Sequence, residues 1–202
     1  MKWSSIDRAS GKDSISVAKI VEEHGRIKSR WCIWKYPRME SEAQKLLHYL
    51  HHFKGWSVEK VAELGIFEKP SLLTVDGNIL LNEGIDTLWK LATGTTATNY
   101  GSANARIGVG DGTTAENATQ TGLQGTNKAW KAMDAGYPDR PSATQARWQS
   151  TFGGTEANFS WQEATVVNAS DDTGQNLNRK VQNLGTKASG STWIAQLTIT
   201  LS

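Results

Sequence analysis

The chain changes its chemistry at residue 70. Residues 1–70 contain no Thr and no Asn, whereas residues 71–202 contain 20 Thr and 11 Asn. Glycine splits 4 against 15 across the same boundary. Threonine suits strands, and glycine and asparagine suit turns. The second part is therefore read mainly as short strands joined by tight turns, and the first holds most of the helix-forming material. No internal repeat is visible.

In the first part, "RIKSRWCIWKY" is rich in β-formers and predicts a strand. "SEAQKLLHYLHHF" predicts a helix over residues 41–53. Ser41 and Gln44 have the spacing of a capping box, and Ala43, Leu46, Leu47, Leu50 and Phe53 form one apolar face. Gly55 can end that helix. Ser57 can cap a second short helix, "VEKVAELG", stopped by Gly65. The second part opens with a strand over 72–75 and a turn signal at Asp76-Gly77. Asn82 can cap a short helix carrying Ile85, Leu88, Trp89 and Leu91. Strands are then expected over 105–109, 128–133, 145–152, 157–168, 177–184 and 192–201. The last alternates as Trp193, Ala195, Leu197, Ile199 and Leu201, the two-residue period of a half-buried strand. The expected fold is mainly β, an antiparallel β-sandwich or jelly-roll-like domain over residues 26–202. A helical hairpin is inserted at 38–70, and residues 1–25 form an N-terminal arm.

Net charge is +2, which gives no bulk electrostatic reason to bind nucleic acid or an anionic membrane. No apolar run approaches the roughly 20 residues of a membrane span. The first residues lack the apolar core of a signal peptide, so a reducing cytosol is the expected folding compartment. Cys32 is the single cysteine, which excludes an intrachain disulfide and a cysteine-based zinc cage.

"IGVGDGTTAENATQTGLQG" is the stretch most open to a catalytic reading. It lacks the G-x-x-x-x-G-K-[ST] of a phosphate loop, and Thr113 stands where a dinucleotide fingerprint needs glycine. After Asp111 the alternate oxygen ligands of a calcium loop are missing. The stretch is read as a strand leaving its sheet through a tight turn at Gly110-Asp111-Gly112. Glycine there supplies positive φ, and an exposed or intersubunit loop follows. His48 and His52 are four apart on the first helix, but no third metal ligand is evident, so they are read with His51 as a solvated polar face. Cys32 in "WCIW" is read as a small core residue. Asp171-Asp172 is read as a solvated turn. No G-x-S-x-G elbow and no nucleophile–base pair can be named. No enzyme, cofactor or metal is expected.

The segment "RIKSRWCIWKYPR" places Arg26, Lys28, Arg30 and Arg38 among Trp31 and Trp34. Basic and aromatic residues together can bind single-stranded nucleic acid, but the chain lacks the strong basic excess of such binders. An interface strand with a basic solvent face is the preferred reading.

The succession "NILLNEGIDTLWKLATG", "NARIGVGDGTTAENATQTGLQG", "NKAWKAMDAGYP", "ARWQSTFGGTEANFSWQEATVVNA" and "LNRKVQNLGTKASGSTWIAQLTITLS" resembles small structural proteins of tailed bacteriophages. The match covers about residues 72–202. The resemblance implies a virion β-sandwich, most simply a decoration (auxiliary, cement) protein on the capsid surface, made in the host cytoplasm. Its implied partners are the major capsid protein and further copies of itself, with a trimer as the plausible oligomer, and neither nucleic acid nor membrane. The alternative is a tail or fibre protein binding a host receptor or glycan. Trp3, Arg26, Lys28, Arg30, Trp31, Trp34, Arg38 and Asp111 are the expected partner-contact residues. The helical insertion and the arm depart from the short forms of this group.

Overall fold

The computed structural model describes residues 27–201. The arm over 1–25, with Trp3, and also Arg26 lie outside the described residues. Strand β1 (Ile27–Arg38) alternates as β-rich sequence should. Trp31 and Ile33 are fully buried on one face, while Arg30, Cys32 and Trp34 take the other.

The predicted helix over 41–53 forms in two pieces. Helix α1 (Ser41–His48) runs into a π-helical turn (Tyr49–Phe53). The capping box does not form: Glu40 is the cap residue without a side-chain bond, and the Gln44 amide donates to the Met39 carbonyl instead. The wider π-turn changes which residues face inward. Leu47, Leu50 and His51 are buried, but Leu46 and Phe53 are 42% and 61% exposed. Gly55 ends this stretch with φ +62, where a Cβ would lie 2.1 Å from the Ala135 carbonyl oxygen. Helix α2 (Val58–Ala62) follows, its first turn capped by Ser57, which accepts from the Lys60 N–H at 3.2 Å.

Strands β2 (Ser71–Asp76) and β3 (Ile79–Leu80) flank a turn at Gly77, which has φ +76. Helix α3 (Asn82–Ala92) begins after an extended Leu81, so Asn82 lies inside the helix and does not cap it. Seven strands complete the chain: β4 (Arg106–Gly110), β5 (Lys128–Ala132), β6 (Asp139–Ser142), β7 (Gln145–Phe152), β8 (Ser160–Val167), β9 (Asn178–Thr186) and β10 (Ser191–Leu201).

The strands form two antiparallel sheets. Sheet I has the order β2-β1-β10-β7-β6, and sheet II has the order β3-β9-β8-β4-β5. Trp31, Ile33, Phe152, Ala195 and Leu197 from sheet I share one core with Ile107, Val109, Trp161, Val166 and Leu184 from sheet II. The molecule is thus mainly β, and its two packed sheets are consistent with a β-sandwich. The outer face of sheet I carries a second, smaller core. Tyr36 and Ile194 meet Leu47, Leu50 and Val61 of the helical stretch, with Trp34 and Trp56 at the margin.

Candidate functional site

The glycines of residues 107–125 answer the question that the stretch raises. Gly108, Gly110 and Gly112 recur at alternate positions because alternate residues share one face of a strand. That face is crowded. A Cβ on Gly108 would lie 2.8 Å from the Trp130 ring, and one on Gly110 or Gly112 would lie 2.5 or 2.4 Å from a Glu163 oxygen. None of the three has positive φ. The expectation of left-handed turn glycines is therefore corrected: these glycines make room for side chains lying across the sheet.

Gly108 makes room for Trp130, and Gly110 and Gly112 make room for Glu163. Glu163 is fully buried and pairs with Arg179, also fully buried, at 2.6 Å. Its carboxylate also accepts from the backbone N–H groups of Gly112 (3.2 Å), Gln124 (3.0 Å) and Gly125 (2.7 Å). A loop that looks able to cradle phosphate instead cradles a carboxylate of its own chain. Arg179 closes the latch from the other side by donating to the Thr114 carbonyl (2.9 Å) and the Gln120 side-chain oxygen (2.8 Å). The loop is pinned at both ends, although Thr113, Asn117 and Thr119 remain exposed. Asp111 lies at its edge and binds Asn127 through the backbone N–H (3.0 Å) and the side-chain amide (2.6 Å).

A second polar hub ties the helical stretch to the sheets. Asp134 is 1% exposed. It accepts from His52 Nδ1 (2.8 Å), Gln149 Nε2 (3.1 Å), Thr151 N (2.9 Å) and Thr151 Oγ1 (2.7 Å). His48 stacks on His52 with ring centroids 5.0 Å apart. Burial, with the Lys131 charge, pushes His48 below the usual imidazole range. His51 is wholly buried between Trp56 and Tyr36. A carbonyl can only accept, so the His51 proton sits on Nδ1 facing the Trp56 oxygen at 2.8 Å, and Nε2 accepts from the Tyr36 hydroxyl. The reading of a solvated histidine face is thus overturned: His51 is buried, and His48 and His52 are half-buried against the sheet and paired there. No group of three or more potential metal ligands occurs among the described residues.

The expected partner-contact residues do not form one site. Trp31 is a core residue, 0% exposed, and presents nothing to a partner. The alternation of β1 turns it inward between Leu197 of β10 and Val75 of β2. Trp34 lies on the opposite face and packs under the helical stretch. Lys28 and Arg30 line an open concavity of about 800 Å³ on the outer face of sheet I, with Asp76, Gln196, Thr198 and Thr200. Arg30 is paired with Asp76 at 2.7 Å, so Lys28 carries most of the local positive charge. Cys32 lines the same concavity rather than the core, because its in-register neighbours Gln196 and Thr74 share its outward face. Arg38 is exposed at the far end of β1, and Asp111 belongs to the loop on sheet II.

Exposed apolar chemistry lies elsewhere. On α3 the buried positions are Gly84 and Thr87. Gly84 lets the helix backbone rest directly on β9's approach; a Cβ there would sit 2.4 Å from the Leu177 carbonyl oxygen. This close seating turns Ile85, Leu88, Trp89 and Leu91 to the surface, 36%, 43%, 66% and 38% exposed. Leu88 also rims a slot of about 250 Å³ between the sheets, lined by Ile27, Leu80, Trp148, Ile199 and Leu201. A second stripe on the helical stretch exposes Leu46, Tyr49 and Phe53. No helix of the described residues is long and apolar enough to cross a membrane.

Comparison of the chain with family models, with curated proteins and with solved structures finds no match. The functional reading therefore rests on the residues themselves.

Proposed function

We propose that this chain is a non-enzymatic structural protein of a tailed-bacteriophage virion, a decoration protein that binds and stabilises the assembled head. The observation that carries the reading is the apolar flank of α3, with Trp89 at 66% exposure, continuing into the slot at Leu88. A contiguous apolar surface of this kind marks an interaction site. Many identical weak contacts of this kind reinforce a shell by multiplicity. The major capsid protein is the proposed partner, with self-association into trimers on the capsid surface. The stretch over 38–70 is read as a helical-hairpin insertion in a jelly-roll-like sandwich. Lys28, Arg30 and Arg38 are exposed along β1 and available as polar rim contacts. A glycan-binding tail protein would need aromatic platforms on a loop face; of Trp130, Trp148 and Trp161, the last two lie in the core and Trp130 is half-buried in β5, while the exposed Trp89 stands on a helix.

The test is cosedimentation of the purified protein with expanded, undecorated heads. Saturable binding and a raised head-disruption temperature are expected. Trp89→Ser should weaken binding about tenfold or more, the loss typical of an aromatic anchor, while changing the protein's own stability by less than about 0.5 kcal/mol. Failure to bind heads, with binding to host cells or their glycans, would overturn the reading.

A further inference from the structure

Lys187 occupies an unusual position for a lysine. It is 1% exposed. Its Nζ donates to the Gly153 carbonyl at 2.7 Å and to the Asn158 side-chain oxygen at 2.9 Å. Both acceptors are neutral. Glu156, the carboxylate whose charge is felt at Lys187, is engaged elsewhere: it pairs with Lys131 at 2.5 Å and accepts from the Gly153 N–H at 2.7 Å. A buried ammonium without a carboxylate partner is costly, and it relieves that cost by shedding its proton. Burial accordingly brings the Lys187 amine down to about 8. A neutral amine is a nucleophile.

Asn158 is held to receive it. Its amide nitrogen donates to the Gly154 carbonyl at 3.0 Å, which fixes the plane of the carboxamide and leaves its oxygen turned to Lys187. Ala157, immediately before it, has φ +50, the one positive φ at a residue other than glycine among those described. Such strain persists only where the surroundings enforce it, and it gathers where a side chain must be aimed. A C=O bond is about 1.2 Å long, so Nζ lies within roughly 4 Å of the carboxamide carbon. That is close to the ~3–3.5 Å of a reactive contact. The Lys187 N–H also donates to the Phe159 carbonyl at 3.0 Å, so the two segments are already in register.

We propose that Lys187 and Asn158 join in an intramolecular isopeptide bond. Nζ attacks Cγ of Asn158, the new C–N bond forms, and the bond from Cγ to Nδ2 breaks. The departing nitrogen takes one of the two hydrogens of the neutral amine and leaves as ammonia. Counted from the ammonium form, a lysine ammonium and a carboxamide become a secondary amide and a free ammonium ion, with no oxidant or cofactor. The product fastens the turn before β8 to the residue after β9. It also replaces a buried charge with a neutral amide. This inference is independent of the virion reading.

Intact-mass measurement on the full purified chain tests it. The folded protein should weigh less than its sequence by one ammonia. Proteolysis should release a branched peptide joining Asn158 to Lys187. Lys187→Arg and Asn158→Ala should each run at the mass of their own sequence. Two results would overturn the proposal. One is a folded wild-type chain still at full mass after incubation above the amine's value of about 8. The other is ammonia loss with the two residues recovered in separate peptides, which would place the loss elsewhere.

Discussion

Among the described residues two long basic side chains are buried at sheet II, Arg179 in β9 and Lys187 just after it, and they are treated in opposite ways. Arg179 meets a carboxylate, Glu163, and between them the pair engages backbone groups at both ends of one loop. Lys187 meets a carbonyl and a carboxamide, while the nearby carboxylate is taken by Lys131. Arginine offers a planar fork matched to a carboxylate and stays charged when buried, whereas lysine gives up its proton readily. The arginine site is therefore a structural latch. The lysine site holds a poised amine facing a carboxamide that follows the strained backbone of Ala157. Burial of charge alone does not distinguish the two; the partner does.

Breaking the latch should give the largest effect. Glu163→Gln keeps the shape but leaves Arg179 as a buried charge without its counter-charge. Removing one partner of a buried pair costs about 3–5 kcal/mol. Chemical denaturation should show a loss of that order, and hydrogen exchange at Gly112, Gln124 and Gly125 should accelerate. Replacing both partners, Glu163→Met with Arg179→Met, should recover much of the loss, because no charge is then stranded. A double variant as unstable as the single would show that the backbone cradle, and not the charge pair, holds the loop.

The glycine row sharpens the same comparison at smaller scale. Gly112→Ala places a methyl group 2.4 Å from a Glu163 oxygen and 2.5 Å from the Gly125 nitrogen. Backbone and a fixed carboxylate cannot both move aside, and overpacking of this kind costs about 1–3 kcal/mol. Gly65→Ala is the contrast, because nothing lies within 4 Å of its Cβ and only its φ of +66 is strained. Denaturation midpoints should fall further for Gly112→Ala. Equal losses would mean that the loop relaxes around the added methyl.

Much of the strand pattern is legible in the sequence, because side-chain alternation is a local signal. The strand over 145–152 matches β7 residue for residue, and the break in Thr and Asn usage at residue 70 separates the helical stretch from most of the strands. The latch is not legible. Glu163 is the one charge in β8, Arg179 is one of two adjacent basic residues in β9, and at 16 residues apart nothing local pairs them. A bulge between Trp161 and Glu163 also shifts the phase of β8, so alternation carried through from Trp161 would put Glu163 on the wrong face. The same limit hides the exposed flank of α3. Its apolar residues read as a buried face, and only the contact of Gly84 with Leu177 reveals which side the helix rests on. Lys187 and Asn158 likewise meet only through the pairing of β8 with β9.

The smallest expected effect concerns His51, a buried base in the π-helical turn over sheet I, and it carries the comparison from sheet II to the helical stretch. Burial holds His51 below its ordinary value of 6.5, with partial compensation from the Trp56 carbonyl and from the charges of Asp134 and Glu59. The unfolded chain therefore binds this proton more readily than the folded one. Stability from His51 is fully present above pH 6.5 and is lost as pH falls from there through the lower folded value. His48 is shifted the same way, by burial first and then by the charges of Lys131 and His52, so it adds to the slope. Thermal unfolding measured from neutral to mildly acidic pH should show melting temperatures declining with acid. His51→Gln, which can still donate to the Trp56 carbonyl but does not titrate, should flatten part of that decline. If the slope is unchanged, His51 is not held neutral, and the helical stretch is anchored chiefly by Asp134 with its four donors. The helical stretch would then resemble the Glu163 latch, held by a buried carboxylate among many donors, and Lys187 would stand alone among the described residues as the buried base without a counter-charge.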